Sequence, residues 1–157
     1  MVLAFLIAGF VFWRKGREEH YAEDELFDGF LLAFFWGVLW ARGAFVALYF
    51  SHFGLNLLKW LDVFAMPGVI LVAGLLASSW FLHRYAGKQK WEQFQILDYA
   101  SLAAAAGLIV FWLGSFLAGS GYGNPTSLPW GMNFPGLFDK RHPTQLYALG
   151  LFVLLFA

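Results

Sequence analysis

The chain has 157 residues, of which 61% are hydrophobic, 21% aromatic and only 13% charged, with a formal net charge of zero. Soluble domains carry about 25% charged residues, so this composition indicates an integral membrane protein, and the balanced charge provides no basic field for nucleic acid. The sequence contains no cysteine, which excludes disulfides, thiolate metal sites and a thiol nucleophile carried by the protein itself.

Five apolar runs follow one another along the chain and predict an all-α fold, a polytopic bundle of transmembrane helices. They are Val2–Trp13, Leu26–Phe50, Leu61–Leu82, Ile96–Gly119 and Pro143–Ala157. A spanning helix needs about 20 apolar residues, so the middle three runs qualify, whereas the first and last are short. We therefore expect a single integral membrane domain over residues 1–157 that is incomplete at both ends.

The loops between these runs differ in charge, which predicts their orientation. Basic residues follow the first and third runs, namely Arg14, Lys15, Arg17, Arg84, Lys88 and Lys90. The positive-inside rule makes that side cytoplasmic, so the loops Ser51–Trp60 and Ser120–His142 face outward. The second outward loop is long, rich in Pro and Gly and interspersed with aromatic residues, which favours a functional loop at the membrane interface.

Arg42 lies inside the second apolar run, between Ala41 and Gly43. An arginine at mid-bilayer costs roughly 2.5–3.5 kcal/mol on insertion scales, so its side chain is expected to face protein, water or a lipid phosphate. Only six apolar or aromatic residues of the run follow Gly43 and Ala44, so an arginine that extends to the outer interface is an equally good interpretation.

A polar segment, Arg141–Tyr147, opens the last apolar run. Pro143 suits the first position of a helix, and the helix N-terminus attracts anions. Arg141 is suited to clamping a phosphate, while an imidazole such as that of His142 can transfer protons near neutral pH. The spacing of Arg141 and His142 from Gln145 places them on one helix face. Residues of these types also anchor helices at membrane interfaces, and the chemistry alone slightly favours that alternative.

Arg141–Tyr147 resembles the segment R-H-P-[ST]-Q-L-Y-E of the prolipoprotein diacylglyceryl transferases. Upstream, Pro129–Gly136 is similar to that family's P-W-A-M-x-F-P-G, and Ala41–Tyr49 is similar to its G-R-x-G-Y-V-x-F-Y. The similarity extends over nearly the whole chain. Several family positions differ: Trp112 replaces an arginine, Ser115 and Ala118 replace asparagines, Ser120 and Ala148 replace glutamates, and Met66 replaces a histidine.

The resemblance implies a bacterial cytoplasmic (inner) membrane enzyme, with several spans, that acts in lipoprotein maturation. Such an enzyme moves the diacylglyceryl group of phosphatidylglycerol to a cysteine thiol of a prolipoprotein signal peptide and uses no cofactor or metal. It assigns substrate binding to Arg42, Arg141, Gln145 and Tyr147, and leaves His142 as the candidate catalytic base. Two alternatives stay open: an inactive relative that binds lipid or a membrane partner, and an unrelated membrane protein with interfacial arginines.

Overall fold

The computed structural model describes residues 1–62 and 66–157. Within this part the chain is all-helical, apart from isolated β-bridges, which confirms the predicted fold class. The helices are α1 (Val2–Glu18), α2 (Glu23–Leu48), α3 (Phe50–Phe53), α4 (Leu57–Leu61), α5 (Leu71–Lys88), α6 (Gln93–Leu117) and α7 (Thr144–Phe156). Helices α2 and α6 are long and apolar enough to cross a membrane.

The chain forms two compact units, each with its own helix packing. The first unit combines Met1–Lys15 with Tyr99–Ala157, and the second is Gly16–Asp98. The first therefore contains most of α1 and α6 together with α7, whereas the second contains α2 to α5.

The predicted third span, Leu61–Leu82, was wrong at its start, because helix α5 begins only at Leu71. Residues 63–65 of that run lie outside the described part of the chain. Pro67 and Gly68, which follow them, are poor helix formers. Gly68 also permits a close approach of the Phe45 ring, since a Cβ at this position would overlap the ring. The predicted outward loop before this run contains the short helices α3 and α4.

Small residues set the packing of the second unit, where α2 lies against α5. A Cβ added to Gly37 would overlap the hydroxyl of Ser78 and lie 3.2 Å from the carbonyl oxygen of Gly74. The Ser78 hydroxyl donates to the Ala33 carbonyl at 2.9 Å, so it also satisfies a backbone group of the facing helix. Small residues of this kind allow membrane helices to approach closely.

The first unit uses the same device between α1 and α6. A Cβ added to Gly107 would lie 3.0 Å from both the Ala4 carbonyl oxygen and the Ala8 Cβ. Buried alanines continue this face of α6 at Ala103 and Ala106. The irregular segment after α6 leads into α7, and this end of the unit contains most of the predicted site residues.

Candidate functional site

Backbone pairing around Arg141 organises the long segment between α6 and α7. The amide of Arg141 donates to the Met132 carbonyl at 2.9 Å, and the Met132 amide donates back to the Arg141 carbonyl at 3.0 Å. A second bridge pairs Arg141 with Pro125. These contacts bring together the two stretches, Pro129–Gly136 and Arg141–Tyr147, that the sequence singled out.

The turn Ser120–Gly123 is held by Arg141, which precedes α7, and by two side chains in the first turn of α7. The backbone carbonyls of this turn accept three hydrogen bonds: Gln145 Nε2 to Ser120 O (2.8 Å), Thr144 Oγ1 to Gly121 O (2.7 Å) and Arg141 Nη1 to Gly123 O (3.4 Å). Gly121 has a positive φ of 76°, which favours glycine. A Cβ at Gly123 would lie 2.7 Å from a methyl carbon of Thr144, so this turn needs both glycines.

Three buried polar atoms border this turn and have no hydrogen-bond partner among the described residues: Trp112 Nε1, Arg141 Nε and Gln145 Oε1. We call Trp112, Arg141 and Gln145 the polar cluster. Gln145 is completely buried, and the Trp112 ring lies 3.8 Å from a Cβ built on Gly121. An unsatisfied buried polar group costs about 1–3 kcal/mol, so three of them together indicate a place for ligand atoms that supply one donor and two acceptors.

The guanidinium of Arg141 also contacts an aromatic ring. Its Cζ lies 5.2 Å from the centroid of Tyr122. This cation–π contact and the bond to Gly123 orient the side chain while Nε keeps its hydrogen available. The positive charge therefore lies beside the turn, where it can pair with an anionic group.

His142 and Tyr147 form a separate pair at the same end of α7. His142 Nδ1 lies 3.2 Å from the Tyr147 hydroxyl. The predicted common face of His142 and Gln145 was wrong, because α7 begins at Thr144 and His142 precedes it. Tyr147 also borders an open cleft of about 600 Å³, whose other lining residues are Pro129, Trp130, Gly131, Met132, Pro143 and Leu146.

Arg42 belongs to the second unit, is only 8% exposed, and has a partner for each of its five N–H bonds. All of these partners are backbone carbonyls: Trp60 O from Nε (2.9 Å), Met66 O and Gly68 O from Nη1 (2.8 and 3.0 Å), and Asp62 O and Lys59 O from Nη2 (3.0 and 3.5 Å). The rings of Phe45 and Phe53 flank the guanidinium with centroids 5.6 and 5.2 Å from Cζ.

Sequence reasoning missed two parts of this arrangement. It treated Trp112 only as a lost arginine, whereas the indole places a buried N–H beside the turn. It also missed the backbone role of Ser120–Gly123, although glycines at alternate positions 119, 121 and 123 were a visible signal of a tight, irregular path. In the part of the chain described here, no group of three His, Asp or Glu side chains could hold a metal.

Comparison with known proteins connects this geometry to one family. A family model described as prolipoprotein diacylglyceryl transferase matches residues 1–157. Among similar proteins, the phosphatidylglycerol–prolipoprotein diacylglyceryl transferase of Polynucleobacter necessarius is 36% identical over 133 residues, which cover 82% of this chain and 48% of that relative. The protein of the same name from Legionella pneumophila strain Corby is 31% identical, with 95% of this chain and 61% of the relative covered.

A third relative of this name, from Oleidesulfovibrio alaskensis, is 35% identical over 66% of this chain and 38% of its own length. The chain thus spans about half the length of these curated relatives. Membrane location follows from the family and agrees with the two long apolar helices. The match to the family model extends over the whole chain, and on this evidence the chain belongs to the prolipoprotein diacylglyceryl transferase family.

Proposed function

We propose that this chain provides the headgroup-binding part of a transferase that moves diacylglyceryl from phosphatidylglycerol to a prolipoprotein cysteine, in a multi-pass protein of the bacterial inner membrane. The names of the relatives support this reaction and both substrates. The whole-chain family match supports it as well.

The polar cluster is the observation on which this proposal rests. A phosphatidylglycerol headgroup has an anionic phosphate and a glycerol with hydroxyl groups, so it offers acceptors and donors side by side. Arg141 and the indole N–H of Trp112 would donate to phosphate oxygens, while Gln145 Oε1 would accept from a headgroup hydroxyl. This assignment uses each of the three unpartnered buried atoms with the correct polarity.

The transfer itself breaks the bond between a diacylglyceryl carbon and a phosphate oxygen. The incoming cysteine sulfur forms a thioether to that carbon, the glycerol phosphate departs with the electron pair, and the thiol proton goes to a base. Arg141 would stabilise the charge that grows on the departing phosphate. We assign the base to His142, whose Nδ1 lies 3.2 Å from the Tyr147 hydroxyl, a contact that helps to hold the imidazole in place.

Arg42 was also expected to bind phosphate. Since its five N–H bonds all have backbone carbonyl partners, binding there would require these contacts to be exchanged. We therefore place the headgroup at Arg141, and the phosphate contact expected of Arg42 remains an untested alternative role for that residue.

Mass spectrometry of the acceptor peptide tests the proposal. The purified protein is incubated with phosphatidylglycerol and a peptide that contains a lipobox cysteine, and the gain of one diacylglyceryl group on that cysteine is followed. Replacing Arg141 with Ala should slow transfer about 100-fold or more, the usual effect of losing a group that stabilises transition-state charge. The exposed neighbour Lys140 provides the matched control, since Lys140→Ala also removes one cation.

Transfer that is equally fast in Arg141→Ala and Lys140→Ala would refute the assigned site. Absence of transfer in the wild-type chain, combined with specific binding of phosphatidylglycerol, would instead favour the inactive, lipid-binding relative. The same assay on a longer relative, such as the Legionella pneumophila protein, shows that the substrates and conditions support the reaction.

A further inference from the structure

Two turns of this chain, 70 residues apart, have the same backbone conformation. Residues in the left-handed region close both: His20 with φ 63° and Lys90 with φ 61°. In each case the amide of the following residue donates to a carbonyl of the preceding helix, from Tyr21 N to Gly16 O of α1 (3.1 Å) and from Trp91 N to Ala86 O of α5 (2.9 Å). Positive φ is uncommon outside glycine, so this coincidence at a fixed offset indicates one turn used twice.

The helix packing repeats with the same offset. Gly37 in α2 faces Gly74 and Ser78, while Gly107 in α6 faces Ala4 and Ala8. The equivalent positions are Gly37 and Gly107, Gly74 and Ala4, and Ser78 and Ala8, and the members of each pair are 70 residues apart. Arg14 and Arg84, Asp28 and Asp98, and Ala33 and Ala103 are also identical pairs at this offset. Residues 1–50 and 71–120 therefore have the properties of two copies of one helix–turn–helix unit.

The offset pairs Arg42 with Trp112, and both lie against the segment that follows their helix. Arg42 donates to carbonyls between Lys59 and Gly68, and the Trp112 ring lies beside Gly121. Arg42 and Trp112 differ in whether their N–H donors have hydrogen-bond partners. Arg42 has no N–H bond left over, whereas Trp112 Nε1 is buried without a partner among the described residues.

The described residues just before α5 lie alongside α2. The amide of Ile70 donates to the Ala41 carbonyl at 2.9 Å, so the chain before α5 has returned to the level of Ala41. Ala41 is seven residues before the end of α2 at Leu48, which corresponds to roughly 10 Å along a helix. Backbone carbonyls that are shielded from water need partners within the protein, and Arg42 supplies them to two carbonyls near the end of α4 and to three in the irregular residues that follow.

We propose that Arg42 is a positioning residue, which holds Lys59–Asp62 and Met66–Gly68 against α2, while the equivalent position in the second copy, Trp112, is left free for ligand. The structural part of this proposal stands on the hydrogen bonds of Arg42. Its link to catalysis rests on the proposed function. Lysine cannot replace Arg42 in this role, because an ammonium group has three N–H bonds and lacks the planar fork that reaches five carbonyls.

Limited trypsin digestion reads out the position of this segment, since Lys59 lies inside it and its side chain is exposed. Arg42→Gln in the full chain should be cut after Lys59 at least about tenfold faster than wild type, because the held backbone must open before cleavage. Arg84→Gln is the matched control, an exposed arginine in α5 that should leave this cleavage unchanged. Adding Lys59→Gln to Arg42→Gln should abolish the fragment 1–59 and so identify the bond that is cut.

A second variant tests the same segment with Arg42 intact. Gly68→Ala adds a methyl that overlaps the Phe45 ring, and it should also expose the Lys59 site. This variant decides the question if Arg42→Gln does not fold. Unchanged cleavage after Lys59 in both variants would overturn the positioning role.

Kinetics separate positioning from direct phosphate binding. In the transferase assay, Arg42→Lys and Arg42→Gln should lower kcat to a similar extent. The KM for phosphatidylglycerol should stay within about twofold of wild type, because the interactions lost are not with substrate. Rescue by lysine, or a rise confined to the KM for phosphatidylglycerol, would show that Arg42 binds the phosphate itself. If the wild-type protein shows no transfer but resists cleavage after Lys59, the proposed function fails while the positioning role survives.

Discussion

Arg42 and Arg141 have similar aromatic surroundings but very different hydrogen bonding. Phe45 and Phe53 flank the guanidinium of Arg42, and Tyr122 flanks that of Arg141. The five N–H bonds of Arg42 are all engaged by backbone carbonyls, whereas Arg141 makes one long bond to Gly123 and leaves a buried Nε without a partner in the described chain. The comparison shows that an arginine in an apolar sequence is a better candidate for ligand binding when its donors remain available.

The surroundings of Arg141 strengthen this contrast. Gln145 and Trp112 each contribute a buried polar atom that the protein does not use, and both border the same turn as Arg141. Around Arg42, in contrast, donors and acceptors balance within the described segment. Buried polar groups are normally paired, so an imbalance confined to one cluster is informative about function.

The largest effect in this comparison, after the loss of Arg141 itself, is expected from Gln145. Gln145→Leu removes both the buried acceptor and the bond from Nε2 to the Ser120 carbonyl. Transfer should fall roughly 10- to 100-fold, since each buried hydrogen-bonding defect is worth about 1–3 kcal/mol. Initial rates of peptide modification measure the effect, with Gln89→Leu as a control in the turn after α5. A Gln145→Leu protein as fast as that control would remove Gln145 from the site.

A smaller and more diagnostic effect is expected from Trp112→Phe, which keeps an aromatic ring and removes only the indole N–H. The KM for phosphatidylglycerol should rise about tenfold, in line with losing a hydrogen bond to a charged group. The lipid-free protein should unfold at a higher temperature than wild type, because a buried donor without a partner has been removed.

Weaker use of phosphatidylglycerol together with a more stable lipid-free protein distinguishes a ligand contact of Trp112 from a packing role. Thermal unfolding with and without phosphatidylglycerol is the measurement. A lower unfolding temperature in the lipid-free variant, together with an unchanged KM, would mean that Trp112 only packs. The same substitution at Trp130, which is exposed at the cleft, serves as a control for the loss of an indole.

The smallest effect is expected from Tyr147→Phe. It removes the hydroxyl that contacts His142 Nδ1 and keeps the ring at the cleft. A single neutral hydrogen bond is worth about 1 kcal/mol, so kcat should fall only roughly fivefold, as measured by initial rates of peptide modification. A kcat equal to that of wild type would argue against a role for this contact in the transfer step.

The sequence predicted the long helices well, but it could not show the hydrogen bonds around Arg42 or around the proposed site. The apolar runs Leu26–Phe50 and Ile96–Gly119 lie within three residues of α2 and α6, because both runs have clear polar ends. Leu61–Leu82 is equally apolar, but hydropathy does not reveal that Arg42 binds the backbone of its first residues. The sequence favoured neither of the two roles of Arg42, because hydrogen bonds to distant carbonyls cannot be read from the local composition.

Within the proposed site, the sequence singled out candidate residues but did not show their hydrogen-bond partners. Arg141, His142 and Gln145 were all selected, yet helical spacing was applied to residues that precede Thr144, where α7 begins. The duplication was also invisible, because few residues are identical between the copies and the shared features are a turn conformation and small residues at contacts. The start of α7 and the features shared by the two copies can be seen only in the structure.

Lipid titration tests the central claim, that the polar cluster binds the phosphatidylglycerol headgroup, most directly. Native mass spectrometry of detergent-solubilised protein can compare the Kd for phosphatidylglycerol in wild type, Arg141→Ala and Lys140→Ala. We predict binding at least about tenfold weaker in Arg141→Ala, the loss of one charge-assisted contact, and little change in Lys140→Ala. Equal Kd values in the two variants would contradict the claim.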